Sequence, residues 1–323
     1  MRAFLIVFCC YFLVLFSSVT QTAFAQPLLQ PAEQEQEQPK EQEQEKEKEP
    51  SDENKTEEQS TSSSTIQRSK IEIAPPIDAI EQKKSDLNHY LPEKTVQTVL
   101  AGPNDHITLI ETNQTANSKG VMVLLPDWHQ TAASPKAMND LRAKFPQQGW
   151  TTITLQPPSK PDNYPSLSLK SEQRAQENLD ILTAYQEELS AILTAVIEQA
   201  KTYPGIIVVV AEGRNGAILP SIYQKELSEE PMALITLSAY LDDDSSSEIA
   251  AKNLAQIDLP VLDFILKTDN GLILQNAELR KKHVNQALKS YYRQKQLHNI
   301  HTGYYPKNQL LKEISGWLKS IGW

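Results

Sequence analysis

Ile206-Ile207-Val208-Val209-Val210-Ala211-Glu212-Gly213-Arg214-Asn215-Gly216-Ala217 is the stretch that decides the fold. Its first five residues are all β-branched, and a run this apolar reads as a strand buried on both faces. A glycine-rich turn follows, and Asn215 to about Lys225 reads as a helix. A buried strand that passes through a tight turn into a helix is one half of a βα unit. The chain on either side should therefore alternate strand and helix in the same way.

It does. Upstream, Val121-Met122-Val123-Leu124-Leu125 is a second continuous apolar run. Ser134 can cap a helix with Pro135 at its first position, running to Phe145. Gly149 ends that segment, and Trp150–Leu155 is the next strand. A long helix is predicted over 171–201, with Leu179, Leu182, Leu189, Leu193 and Val196 on one stripe and Tyr185, Ile192 and Ile197 beside it. Further upstream lie a short helix around Asp86 to Tyr90 and two strands, 95–100 and 106–111. Ala101-Gly102-Pro103-Asn104-Asp105 between those strands signals a hairpin. Downstream come strands over 232–237 and 261–267, a helix over 274–290, a strand over 294–300 and a last helix over 308–321. The prediction is an α/β fold with a mostly parallel, doubly wound sheet and an N-terminal antiparallel hairpin. Ligands in such sheets bind beyond the carboxyl ends of the strands.

At those ends lie the residues that could carry chemistry. Gly213-Arg214-Asn215-Gly216-Ala217 resembles the nucleophile elbow of α/β hydrolases, G-x-S-x-G between strand and helix. Gly213, Gly216 and Ala217 supply the small flanking residues. The resemblance puts Asn215 at the nucleophile position, where the backbone takes a positive φ that Asn tolerates. A carboxamide has no proton for a neighbouring His to remove, so the elbow is degenerate. Chain order extends the likeness, because these hydrolases run nucleophile, acid, His. Asp269 follows the strand over 261–267 as the matching acid, and His301 follows the last strand as the matching His. Pro126, Asp127 and Trp128 occupy the loop that donates one oxyanion-hole amide in that superfamily, and His129 follows them.

The span from about Leu87 to Trp317 resembles a proteobacterial family of unknown function, number 3530, placed with the α/β hydrolases. Tyr90-Leu91-Pro92, Gly120–Pro126, Gly149–Leu155 and Gly316-Trp317-Leu318 carry that likeness. It implies an architecture and supplies no activity or substrate.

Each candidate also has a plain structural use. Asn215 can serve the turn and cap the helix after it. Asp269-Asn270-Gly271 is an ordinary turn sequence. His301 can be a solvated loop residue, and His298, mid-strand, a structural one. Trp128 and His129 can line a pocket or cover the sheet edge. Asp127, His129 and His301 lack the short-range spacing of a metal site, and no cofactor motif is present.

The N-terminus reads differently. Arg2, an apolar run from Phe4 to Phe16 and Ala23-Phe24-Ala25 form a secretory signal pattern over 1–25, so the mature chain should begin at Gln26. The run is short for a spanning helix, which needs about 20 apolar residues. Cys9 and Cys10, the only cysteines, fall inside it. The mature chain would then have no thiol, disulfide or cysteine nucleophile. Residues 26–70 are a low-complexity acidic linker with almost nothing to bury, expected to be disordered. Gln26–Ser60 alone holds 12 acidic and four basic residues, so most of the net charge of −10 lies there. The remaining part, residues 61–323, which includes the foldable domain 71–323, carries only −3 and offers no nucleic-acid surface. It also holds no segment apolar enough to span a membrane.

The leading functional expectation is an exported periplasmic protein of a Gram-negative bacterium. It would be non-catalytic or cryptically catalytic, binding a small molecule or an envelope partner. The alternative is an active esterase- or peptidase-type hydrolase with an atypical nucleophile, Ser134 or Ser238. A third reading makes the acidic tail the working part of a structural envelope protein.

Overall fold

The structure is a computed structural model that describes residues 77, 79–92 and 95–323, all within one compact unit, Glu72–Trp323. The expected signal segment and acidic linker lie outside the described residues.

Among the described residues, eight strands form one sheet: β1 (Val96–Ala101), β2 (Asn104–Glu111), β3 (Gly120–Leu125), β4 (Trp150–Leu155), β5 (Ile206–Glu212), β6 (Ala233–Leu237), β7 (Val261–Leu266) and β8 (Tyr292–Leu297). Their spatial order is β1-β2-β4-β3-β5-β6-β7-β8. β2 pairs antiparallel with β1 and β4, and every other pairing is parallel. The expected fold class stands. Among the described residues, seven α-helices accompany the sheet: α1 (Ala79–Tyr90), α2 (Ala137–Lys144), α3 (Ser171–Ala200), α4 (Gly213–Gln224), α5 (Asp244–Gln256), α6 (Gly271–Gln286) and α7 (Lys307–Ser320).

The central strands are buried along their whole length, which is why they read as apolar runs. Alternation still assigns their faces. Val121, Val123, Leu125, Val209 and Ala211 pack with Leu182, Leu189, Val196, Ile218 and Leu254, which come from α3, α4 and α5. Met122, Leu124, Val208, Val210 and Phe264 pack with Met138, Leu141, Ile314 and Trp317, which come from α2 and α7. β3 and β5 approach closely where both begin. A Cβ on Gly120 would lie 2.0 Å from the Ile206 carbonyl oxygen, and one on Gly205 would lie 2.4 Å from that of Lys119.

Several boundaries differ from expectation for local reasons. Ser134 does not cap α2. Its hydroxyl accepts the Thr131 N–H at 2.8 Å within a turn, and the helix starts at Ala137. Leu179 is 37% exposed, whereas the rest of its predicted stripe is buried. His298 lies past the end of β8 and is exposed. α5 is a helix that the sequence pattern does not announce. Its start, Asp243-Asp244-Ser245-Ser246, resembles a loop, yet the Asp243 carboxylate caps the helix by accepting the Ser246 N–H at 2.9 Å.

Candidate functional site

The order of strands reverses at β3, with β4 on one side of it and β5 on the other. A crevice at such a switch point is where doubly wound sheets bind ligands. The loop after β3 carries Pro126, Asp127 and Trp128 to this point, the end of β5 brings Glu212, and the start of α4 brings Gly213 and Arg214.

The sharp turn between β5 and α4 is at Gly213, whose φ is +59°. Asn215, expected to hold that conformation, does not. It lies in the first turn of α4, completely buried. Its amide nitrogen donates to the Pro126 carbonyl at 2.7 Å, and its amide oxygen accepts the Tyr185 hydroxyl at 2.8 Å. It pins α3, α4 and the β3 loop together. The residue at the elbow is thus two positions earlier than expected, and it has no side chain. Gly216 fits its expected packing role, since a Cβ there would lie 3.0 Å from the Ala211 carbonyl oxygen.

Asp127 takes the space over Gly213. A Cβ on Gly213 would sit 2.6 Å from Asp127 Oδ1, and that oxygen accepts the Arg214 N–H at 2.8 Å. In α/β hydrolases the amide after the nucleophile is an oxyanion-hole donor. Here an internal carboxylate holds it. Arg214 also donates a guanidinium N–H to Asp127 Oδ2 at 3.0 Å and binds Asp242 through two bonds of 2.8 and 2.9 Å. Its guanidinium lies 4.4 Å from the Tyr240 ring centroid and 5.5 Å from that of Trp128. Trp128 is buried and meets Tyr164 and Tyr185 edge-on at 5.6 and 5.3 Å. Burial, and then Arg214, hold His129 below the ordinary histidine range.

The expected acid and histidine part company. Asp269 is half-buried, and its Oδ2 accepts the Ser238 hydroxyl at 2.6 Å and the Leu266 N–H at 3.1 Å. The Ser238 hydroxyl is also 2.6 Å from the Tyr305 hydroxyl. Ser238 has a φ of +47°, uncommon for a residue with a side chain. His301 is exposed, and its backbone carbonyl accepts from Asn299 and Tyr304. Asn215, Asp269 and His301 share no hydrogen bond. Tyr305 is the residue that the His301 loop delivers to Ser238, whose hydroxyl Asp269 accepts. Among the described residues, no cluster of three His, Cys, Asp or Glu side chains could hold a metal ion, so Asp127, His129 and His301 do not form one. Nor is any helix among them long and apolar enough to cross a membrane.

Sequence reasoning missed Arg214, Asp242, Tyr305 and Glu212. Glu212 ends β5 and is 7% exposed, with Oε2 buried and unpartnered. Burial raises its carboxyl to about 7, and the charges of Asp127 and Asp269 push the same way. The Gln130 amide and Lys136 oppose them. Stability from this group is full below the unfolded value of 4.5 and is lost as pH rises through about 7. Glu212→Gln should flatten that decline, which is on the order of 3 kcal/mol. Urea midpoints at pH 5 and 8 measure it, and parallel declines in both proteins would contradict it.

The family model described as Protein of unknown function (DUF3530) matches residues 10–320. No curated protein matches the chain. Among solved structures it is similar to Est1E from Butyrivibrio proteoclasticus. The TM-score is 0.51 at 9% identity, covering 70% of this chain and 98% of that one. It is also similar to a carboxylesterase from Lactobacillus plantarum, with a TM-score of 0.50 at 11% identity, covering 70% and 97%. At such identities the likeness shows the fold alone: the sheet and helices are those of an α/β hydrolase.

Proposed function

We propose a binding role without catalysis for this chain, which belongs to the family described as Protein of unknown function (DUF3530). The observation that supports it is the Asp127 carboxylate, which fills the space over Gly213 and occupies the Arg214 N–H. A serine hydrolase needs a nucleophile and a free donor at these two places. The signal pattern over 1–25 adds the proposal that binding takes place in the periplasm, to a small molecule or an envelope partner. Pro126, Asp127, Trp128 and Gly216 would frame that site.

Incubation with a fluorophosphonate probe and with p-nitrophenyl acetate tests the reading. No stoichiometric labelling and no turnover above a denatured control are expected. Asn215→Ser should be equally inert, because its side chain is enclosed between Pro126 and Tyr185. Labelling of one residue per chain would overturn the reading. N-terminal sequencing of the native protein tests export separately, with Gln26 as the expected first residue.

One observation favours the alternative of an active hydrolase. Ser238 combines a positive φ at a strand end with a carboxylate and a phenol on its hydroxyl. Strained backbone of that kind gathers at functional sites. If labelling does occur and Ser238→Ala abolishes it, Ser238 is the nucleophile. Ser134, held in its turn by Thr131, has no comparable support.

A further inference from the structure

α4 and α5 both end at the far end of the strands from the elbow, where the chain turns back into β6 and β7. A groove of about 600 Å³ lies there, lined by the last turn of α4, the turn over 226–230 and the residues that close α5. A helix C-terminus carries about half a negative charge. Neither helix has a basic side chain in its last turn to answer it. Three exposed carboxylates, Glu226, Glu230 and Asp258, stand on the same groove. Among the described residues, none of the three makes a hydrogen bond or an ion pair.

Two further observations point to what the groove takes. Tyr223 lines it and is 2% exposed, yet its buried hydroxyl has no partner among the described residues. Glu230 is the charge that acts on this hydroxyl, so the phenol faces the groove. A buried hydroxyl left unpaired is costly, and a donor in the groove would remove that cost. The second observation is Lys289, which follows α6. Its ammonium donates to the Ile257 carbonyl at the end of α5 and is drawn to Asp258 and Glu230. The chain thus brings one ammonium to this rim already. One cation against two helix ends and three carboxylates leaves the groove negative. A bare metal ion does not match it. Among the described residues, no three His, Cys, Asp or Glu side chains could hold one. An ammonium carries three donors on a longer reach, which acceptors spaced around a groove can meet.

We propose that this groove binds an aliphatic ammonium group. Glu226, Glu230 and Asp258 balance its charge, and the Tyr223 hydroxyl oxygen accepts one of its N–H bonds. A free diamine and the lysine side chain of a partner protein offer the same chemistry. The groove shares no residue with the elbow, so it stands or falls independently of the binding role proposed there.

Calorimetric titration of the full chain at low salt tests this with diaminopentane, N-acetyl-lysine methylamide and magnesium chloride as probes. One amine should bind per chain. Magnesium, which has the charge of the diamine, should bind more weakly by about tenfold or more. Binding of diaminopentane alone identifies a free amine as the ligand, and binding of the capped lysine identifies a side chain. Tyr223→Phe should weaken the amine about tenfold without lowering the urea midpoint, because the hydroxyl supports nothing inside the chain. Glu230→Gln, at an exposed position, should weaken it several-fold. Lys289→Met, shown by circular dichroism to fold, should tighten it, since it frees the Ile257 carbonyl and removes a competing charge. No binding of either amine, magnesium binding as tight as the diamine's, or unchanged amine affinity in Tyr223→Phe would overturn the proposal.

Discussion

Replacing Arg280 with alanine is expected to destabilise the folded unit by about 3–5 kcal/mol, because it strands a buried charge. Asp263, in β7, is completely buried. Burial alone would raise its carboxyl, but Arg280 overcomes this and holds it below the ordinary aspartate value. The guanidinium binds both carboxylate oxygens, at 2.9 and 3.0 Å, and donates a third bond of 2.6 Å to the Ala239 carbonyl. Thr236, Tyr292 and Gln294 complete the carboxylate's shell. These three are neutral and cannot replace the lost cation. Urea denaturation measures the effect, and a loss below about 1 kcal/mol would mean that water reaches Asp263 when the arginine is gone. The effect should extend to the site, because the Ala239 carbonyl that Arg280 holds lies between Ser238 and Tyr240.

Gly213→Ser is the second large effect. It puts a hydroxyl at the sharp turn, where a nucleophile belongs, and should still yield no esterase. The new Cβ would fall 2.6 Å from Asp127 Oδ1, so Asp127 has to leave the Arg214 amide. The positive φ adds strain of about 1–3 kcal/mol for a residue with a side chain. The histidine that chain order supplies does not reach the serine, since His301 is exposed and makes no bond to Asp269. The expected outcome is a lower urea midpoint with p-nitrophenyl acetate turnover still at background. Turnover that saturates with substrate would show that a base does reach position 213.

The sheet was legible because its strands are apolar runs bounded by turns, and this pattern follows directly from burial on both faces. The capping of α5 was hidden because Asp243 and the serines after it serve loops and helix starts equally well. The elbow was found but read two residues late. Gly213-x-Asn215-x-Ala217 satisfies the spacing of small residues, and only the backbone angle shows that Gly213 itself makes the turn. Chain order points to the loop after β8, and there the residue that reaches inward is not the histidine. His301 is the familiar type, yet Tyr305, four positions on, reaches Ser238. Asp269, the expected acid, follows β7, but the hydroxyl it accepts comes from Ser238 just after β6, a tertiary pairing that no local pattern encodes. Arg214 lay in plain view inside the motif. A motif defined by glycines carries no signal for the variable positions between them.

Arg214 links loops that the chain connects only through long crossovers. It bonds to Asp127 after β3 and to Asp242 after β6, while its own amide begins α4. One residue beyond Asp242, Asp243 accepts the Tyr164 hydroxyl from the segment between β4 and α3. Four crossovers are therefore fastened at one rim of the sheet through Arg214 and the adjacent pair Asp242 and Asp243. Such a rim resembles a drawstring more than a set of independent flaps. Slack introduced at any one loop is shared by the other three, and a molecule that lodges there meets them as one body.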